Sequence, residues 1–252
     1  MTLSFDRAGS GPTVVLLHSG VADRRMWDPQ WPVLTAAGYD VLRCDFRGYG
    51  ETPVATESYD DAEDVRDLLD SVGLGRAAVV GSSFGGRVAQ EFAARWPDRV
   101  TALCLLCPAS RLHPPTDDIR AFNEREDELL EAGDVAGATE LNVATFVGPE
   151  ASAQTRKLVA EMQRHAFEAQ LAAGDSAAPP RHEDFDLTAV TAPTLVVSGD
   201  RDLDYFRSTA EFLAGAIPGA EHVRLPWAGH LPSLEDPDRT NPLILNLLSR
   251  HR

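Results

Sequence analysis

Short continuous apolar runs punctuate the chain, separated by stretches whose apolar residues recur at intervals of three and four. Thr13-Val14-Val15-Leu16-Leu17, Ala77 to Val80, Val100 to Cys107 and Thr194-Leu195-Val196-Val197-Ser198 have the continuity expected of strands buried on both faces. Asp40 to Cys44 and His222 to Pro226 are weaker strands of the same kind, and the alternation of Thr2 to Arg7 predicts an edge strand. Between them the helical period sets in. Trp27 to Ala37 is one such stretch, its start confined by Pro29 and Pro32. Ala62, Val65, Leu68, Leu69 and Val72 form a stripe behind a cap at Ser58, with Asp61 as its capping-box partner. Phe84 to Trp96 places Phe84, Val88 and Phe92 beside Ala89, Ala93 and Trp96 on one face. Tyr205 to Ile217 and Thr240 to His251 complete the set. Strands alternating with helices predict an α/β protein with a doubly wound, mostly parallel sheet covered on both sides.

The rhythm stops between residues 111 and 185. This stretch contains an acidic helical segment from Asp117 to Ala132, an apolar run from Leu141 to Val147 and an amphipathic segment from Thr155 to Leu171. Residues 111–185 are therefore expected to form a helical cap inserted into a core made of residues 1–110 and 186–252. Its apolar faces, including Phe146 and Met162, should line the substrate pocket, and the acidic run should be a solvated outer face.

Composition narrows the function. The chain has 252 residues, 43% of them hydrophobic, which suits one globular core with an insertion. A net charge of −16 argues against nucleic-acid and anionic-membrane partners. The sequence opens without a signal stretch and contains no spanning run, so a cytoplasmic protein is expected, acting as a monomer or homodimer on a small molecule. Cys44, Cys104 and Cys107 read as buried free thiols. Cys104-x-x-Cys107 lacks a second ligand pair, which argues against a metal site.

Ligands of open parallel sheets bind beyond the carboxyl ends of the strands. The polar groups there are His18-Ser19-Gly20, Asp45, Ser83, Asp200 with Asp202, and His230. Ser83 lies in Gly81-Ser82-Ser83-Phe84-Gly85, between a strand and a helix. So sharp a turn strains the serine backbone, and the two glycines admit the close approach it needs. A serine hydroxyl needs a base, and the base needs an orienting carboxylate. His230, in a loop after the last strand, is the candidate base, and His18 is expected to brace its own loop. Asp202 has the reach to serve His230, whereas Asp200 is expected to pin the turn with Arg201. The oxyanion hole requires two backbone N–H groups, assigned to Phe84 and to Gly20, with Val21 in reserve. Val21 and Trp27 are placed in the pocket wall.

These residues together resemble the α/β-hydrolase fold family over nearly the whole chain. The matching stretches are Leu16-Leu17-His18-Ser19-Gly20, Asp45-Phe46-Arg47-Gly48-Tyr49-Gly50, Gly81-Ser82-Ser83-Phe84-Gly85-Gly86, Gly199-Asp200-Arg201-Asp202 and Ala228-Gly229-His230-Leu231-Pro232. Met26-Trp27-Asp28-Pro29-Gln30 is similar to the enol-lactonase and cofactor-free haloperoxidase-like esterases. The resemblance implies Ser83 as nucleophile, Asp202 as acid and His230 as base, with no cofactor or metal. Ser19 and Thr52 depart from the commoner residues of the pattern. Serine at the turn disfavours the aspartate-nucleophile dehalogenases and epoxide hydrolases. It is compatible with hydrolysis of a small ester or lactone, with carbon–carbon bond hydrolysis by the same residues, or with a ligand-binding protein of negligible turnover.

Overall fold

The computed structural model describes residues 3–251. Its seven strands are β1 (Phe5–Gly9), β2 (Thr13–Leu17), β3 (Asp40–Cys44), β4 (Ala77–Ser82), β5 (Val100–Leu106), β6 (Thr194–Gly199) and β7 (Glu221–Leu225). They form one sheet in the order β1-β3-β2-β4-β5-β6-β7. Only β1 is antiparallel, pairing with β3 from Phe5 opposite Cys44 to Gly9 opposite Asp40. The edge strand therefore begins later than the alternation suggested, and Thr2 lies outside the described residues.

Alternate side chains of the inner strands enter different cores. Val14 and Leu16 join Trp27, Leu34, Ile244 and Leu248 on one face. Val15 and Leu17 join Val65, Leu68, Phe92 and Leu213 on the other. That is why the strands read as unbroken apolar runs: both faces are covered.

The helices are α1 (Trp31–Ala36), α2 (Asp61–Ser71), α3 (Phe84–Arg95), α4 (Asp117–Glu131), α5 (Val135–Phe146), α6 (Ala153–Ala173), α7 (Asp204–Ala216), α8 (Pro232–Glu235) and α9 (Pro237–Arg250). Two starts differ from the sequence reading. The stretch after Trp27 is a 3-10 turn from Arg24 to Trp27 followed by α1, because Pro32 is accommodated only in a first helical turn. Asp60, not Ser58, caps α2: its carboxylate accepts the Glu63 N–H at 2.9 Å. Arg95 of α3 also holds Asp60 at 2.9 Å, so the cap is tied to the neighbouring helix, whereas Ser58 is exposed.

Helices α4, α5 and α6 fill the interval between β5 and β6. α6 leans on the loop after β3, where His165 Nε2 meets Gly50 O at 2.9 Å and Gln170 donates to Gly48 O at 3.3 Å. Among the described residues no helix is long and apolar enough to cross a membrane.

Candidate active site

The chain leaves β2 toward β3 and returns to place β4 on the other side of β2. This reversal opens a crevice at the carboxyl ends of β2 and β4, the place where open α/β sheets bind ligands. Ser83 follows β4 there. Its φ of 53° and ψ of −112° lie in the left-handed half of backbone space, where a side chain is strained by about 1–3 kcal/mol. The turn is held on both sides: Ser83 N donates to Leu106 O at 2.9 Å, and Ser83 O accepts from Ala109 N at 3.1 Å. It closes only because Gly81 and Gly85 lack side chains. A Cβ on Gly81 would stand 2.3 Å from Gly85 O, and one on Gly85 would stand 2.3 Å from Leu17 O.

His230 lies in the loop between β7 and α8, with 2% of its surface exposed. Its Nδ1 is 2.7 Å from Asp202 Oδ2, and the other carboxylate oxygen accepts the Leu203 N–H at 2.7 Å. The structure thus brings Asp202 to His230. Asp200 turns away and pairs with Arg224 at 3.0 Å, not with Arg201. The register explains the choice, since Ser198 faces Arg224 across the β6–β7 ladder and Arg224 emerges beside the strand end. Arg201 instead reaches Pro226 O at 3.4 Å.

Sequence reading missed two groups around this pair. Glu235 accepts the N–H groups of both Gly229 and Leu231, at 2.8 and 2.9 Å, and so clamps the backbone on each side of His230. Burial pushes its carboxyl above the usual range. Cys107 is the other. Its sulfur, a ring nitrogen of His230 and a carboxylate oxygen of Asp202 lie within 4.8 Å of one another. Burial, and next the Asp202 charge, push that thiol well above the usual range, so it remains protonated. The sequence marked Cys107 as a buried free thiol at the end of an apolar run, with no link to His230.

The loop after β2 is fixed from within. His18 Nε2 accepts the Phe46 N–H at 2.9 Å, and its Nδ1 lies 2.8 Å from Ser19 O and donates to it. The fully buried ring is held neutral, its pKa lowered by desolvation. Ser19 N–H is spent on Met26 Sδ at 3.2 Å, and Val21 N–H lies at 3.5 Å from Ser19 Oγ. Gly20 sits beside the start of α3: a Cβ there would be 3.6 Å from Phe84 Cβ. Phe84 is the first residue of α3, where backbone N–H groups have no acceptor in the helix. Asp45, another polar group past a strand, belongs to the framework. It accepts the N–H groups of Arg24 at 2.8 Å and Glu51 at 2.9 Å.

Ser83 and His230 open into one cavity of about 270 Å³, whose walls include Gly20, Val21 and Phe146. The ring of Phe146 is 5.0 Å from that of His230, and the ring of Phe206 is 3.9 Å from it. Trp27 and Met162, placed in the pocket from the sequence, are absent from its walls. Trp27 is fully buried in the core, carried inward by the 3-10 turn, and Met162 is 1% exposed. On α6 the wall is formed by Gln163, Phe167 and Gln170, one helical face. Met162 points about 100° away from Gln163, toward Val159 and Ala166 in the core. Glu126 is a further correction. The acidic helix was read as an outer face, yet Glu126 lines the cavity with Ile119 and Phe122, while Glu128 is exposed beside Arg125. Positions 119, 122 and 126 share one helical face, so the apolar stripe carries Glu126 inward.

Comparison with known proteins gives the family and the fold. The model of the alpha/beta hydrolase family matches residues 14–243. The chain is 32% identical over 247 residues to RutD of Variovorax paradoxus, a protein named for carbamate hydrolysis, covering 94% of this chain and 91% of that one. A thermophilic esterase from Thermogutta terrifontis superposes with a TM-score of 0.81 at 28% identity, covering 99% of this chain and 94% of the other. The enol-lactonase of Burkholderia xenovorans superposes with a TM-score of 0.77 at 24% identity, covering 98% and 96%, and shares the fold.

Proposed function

The chain belongs to the alpha/beta hydrolase family, and on that premise we propose that it is a serine hydrolase that cleaves a small ester or lactone through an acyl-enzyme. The observation that carries the reading is the single cavity into which Ser83 and His230 both open, with His230 Nδ1 held 2.7 Å from Asp202. A carboxylate on Nδ1 keeps the proton there and leaves Nε2 with its lone pair free to act as base.

The steps follow from the groups. Ser83 Oγ attacks the substrate carbonyl carbon as His230 Nε2 takes its proton. The carbonyl oxygen becomes an oxyanion, stabilised by the N–H groups of Gly20 and Phe84. As the intermediate collapses, His230 returns the proton to the leaving oxygen and the acyl group stays on Ser83. Water then attacks the acyl-enzyme, giving its proton to His230, and the carboxylic acid departs as Ser83 regains its proton. Asp202 stabilises the imidazolium in both halves, and Glu235 keeps the histidine loop in place. A carbamate, the substrate class for which RutD is named, offers a carbonyl to the same groups and passes through the same steps.

A fluorophosphonate probe tests the nucleophile. Wild-type protein should take up one equivalent, mapped by mass spectrometry to Ser83, and Ser83→Ala should take up none while keeping its fold. A label on Ser82 or Ser19 would sink the assignment. Absence of both labelling and ester turnover would favour the ligand-binding alternative.

A further inference from the structure

The cavity above Ser83 has an uneven chemistry. Its walls combine the rings of Phe122, Phe146 and Phe206 with a group of amides and one carboxylate, Glu126, and include no lysine or arginine. Burial, before any neighbouring charge, pushes the Glu126 carboxyl above the usual range. One of its oxygens accepts a hydrogen bond from Asn142 Nδ2. Asn142 is itself fixed by a second bond to Ala138 O at 2.9 Å. The other carboxylate oxygen has no partner among the described residues.

A second, independent group lies across the helix packing. Gln163 of α6 is 4% exposed and lines the same cavity. Its Oε1 is buried without a hydrogen-bond partner in the protein. A buried amide oxygen left unpaired costs about 1–3 kcal/mol, so the Gln163 amide is left with unfinished bonding next to the cavity. A half-turn of the terminal amide exchanges its oxygen and nitrogen without moving the helix, which lets the acceptor face the cavity. The cavity therefore presents one unspent ionisable acceptor, the free oxygen of Glu126, and gains a second only when the Gln163 amide turns; its walls hold no lysine or arginine.

We propose that Glu126 and Gln163 form a recognition subsite for a protonated amine, and that the preferred substrates are short esters or lactones carrying an ammonium group. This rests on the hydrolase reading above. A primary ammonium has three donors and no acceptor, enough for both the free oxygen of Glu126 and the turned amide oxygen of Gln163, whereas a tertiary ammonium has one donor, for Glu126. A neutral alkyl group of the same shape would bury the free oxygen of Glu126 unpaired, so the site rejects it more than it rejects a change of size. The strongly acidic surface, with a net charge of −16, draws cationic ligands toward the mouth.

The test uses isosteric pairs on either side of the scissile bond. The methyl ester of β-alanine is compared with methyl butanoate, and dimethylaminoethyl acetate with isopentyl acetate, each followed by acid release in a pH-stat. One ammonium ester should be favoured over its isostere by about tenfold or more in kcat/KM, as expected of a charged hydrogen bond. Glu126→Gln should collapse that ratio toward unity, and Glu128→Gln, on the exposed face of the same helix, should leave it intact. Equal or better cleavage of both neutral esters, or a preference that survives Glu126→Gln, overturns the subsite while leaving the hydrolase reading standing. Binding to the Ser83→Ala protein, followed by ligand NMR, keeps the inference testable without turnover. The ammonium ester should bind several-fold tighter than its isostere, and equal affinity overturns the proposal.

Discussion

Gly85→Ala converts the geometry of the serine turn into a measurable loss. Gly85 has a helical backbone compatible with alanine, so the penalty is steric. The added Cβ would stand 2.3 Å from Leu17 O, 2.6 Å from Leu17 C and 2.6 Å from His18 O. All three atoms are backbone at or just past the end of β2, an interior strand of the sheet, and none can rotate away. To reach the 3.0 Å floor of real Cβ contacts from 2.3 Å, the start of α3 must retreat by about 0.7 Å. The retreat stretches the Gly85 N–H bond to His18 O, now 3.0 Å. Overpacking against rigid backbone costs about 3 kcal/mol, which for a chain of this size lowers Tm by about 6–12 °C. The same displacement carries Ser83 Oγ and the Phe84 N–H with it, and an error approaching 1 Å in a reacting group costs roughly 100-fold in rate. Thermal melts by circular dichroism and kcat/KM on para-nitrophenyl acetate measure both. Gly215→Ala is the matched control. A Cβ there meets nothing within 4 Å, and alanine inside α7 should add about 0.5–1 kcal/mol with activity unchanged. A Gly85→Ala protein that melts within about 2 °C of wild type, or keeps its kcat/KM, would refute the argument that this glycine is required by the close approach of α3 to β2.

The remaining predictions concern the acid, the pocket and pH. Asp202→Asn should lower kcat by about 10⁴-fold, the scale for loss of the orienting carboxylate in Ser–His–Asp triads, with little change in Tm. Asp200→Asn removes only a partly exposed pair with Arg224 and should cost under about 1 kcal/mol with near-normal turnover; steady-state kinetics showing the reverse pattern would reassign the acid. Phe146→Ala widens the cavity beside His230 and should shift kcat/KM toward longer acyl esters by about 10–200-fold, while removing a 5% exposed ring costs about 3–5 kcal/mol of stability. An unchanged acyl-chain profile would place the acyl group elsewhere. Asp61 is buried beside Arg87 at 3.0 Å, and its pKa is pushed up to about 6, by desolvation first and by Asp64, Glu91 and Asp60 against the opposing Arg87. The folded state therefore resists its ionisation: the cost is fully present above about pH 6 and disappears as pH falls toward the unfolded value near 3.8. Asp61→Asn should stabilise the protein by up to about 3 kcal/mol at about pH 8 and by almost nothing near pH 4, read from melts across that range.

What could be read from the residues follows from how each element is oriented. A parallel strand buried on both faces ends at a defined sheet edge, so whatever polar residue comes next is delivered there. Ser83, one residue past β4, and Gly20, three past β2, needed no knowledge of packing to be placed. The turn at Ser83 was legible for a related reason, since Gly81 and Gly85 record backbone approaches that any Cβ would block. Spacing favoured Asp202 over Asp200 through its reach toward His230, but it missed the partner of Asp200, because a two-residue offset in a loop reverses direction according to which neighbour captures the side chain. Arg224 captures Asp200, and it does so through a β6–β7 register that appears only once the strands pair.

The inserted helices obey a different rule, and Glu126 shows it. A helix rotates its side chains by about 100° per residue, so a residue's environment depends on the angle at which the whole helix is docked. Met162 and Gln163 are adjacent, yet one is core and the other is cavity wall. On α4 the stripe of Ile119 and Phe122 set that angle, and it carried Glu126 inward against the expectation that acidic residues face water. Charge predicts the outer face only where a helix has an apolar stripe wide enough to satisfy its docking surface. Here that surface is a cavity, and a cavity that must bind a ligand gains nothing from a continuous apolar wall. The departure from hydrophobic patterning at Glu126 and Gln163 therefore falls in the cavity into which Ser83 opens, where the proposed subsite, and not the fold, calls for polar groups.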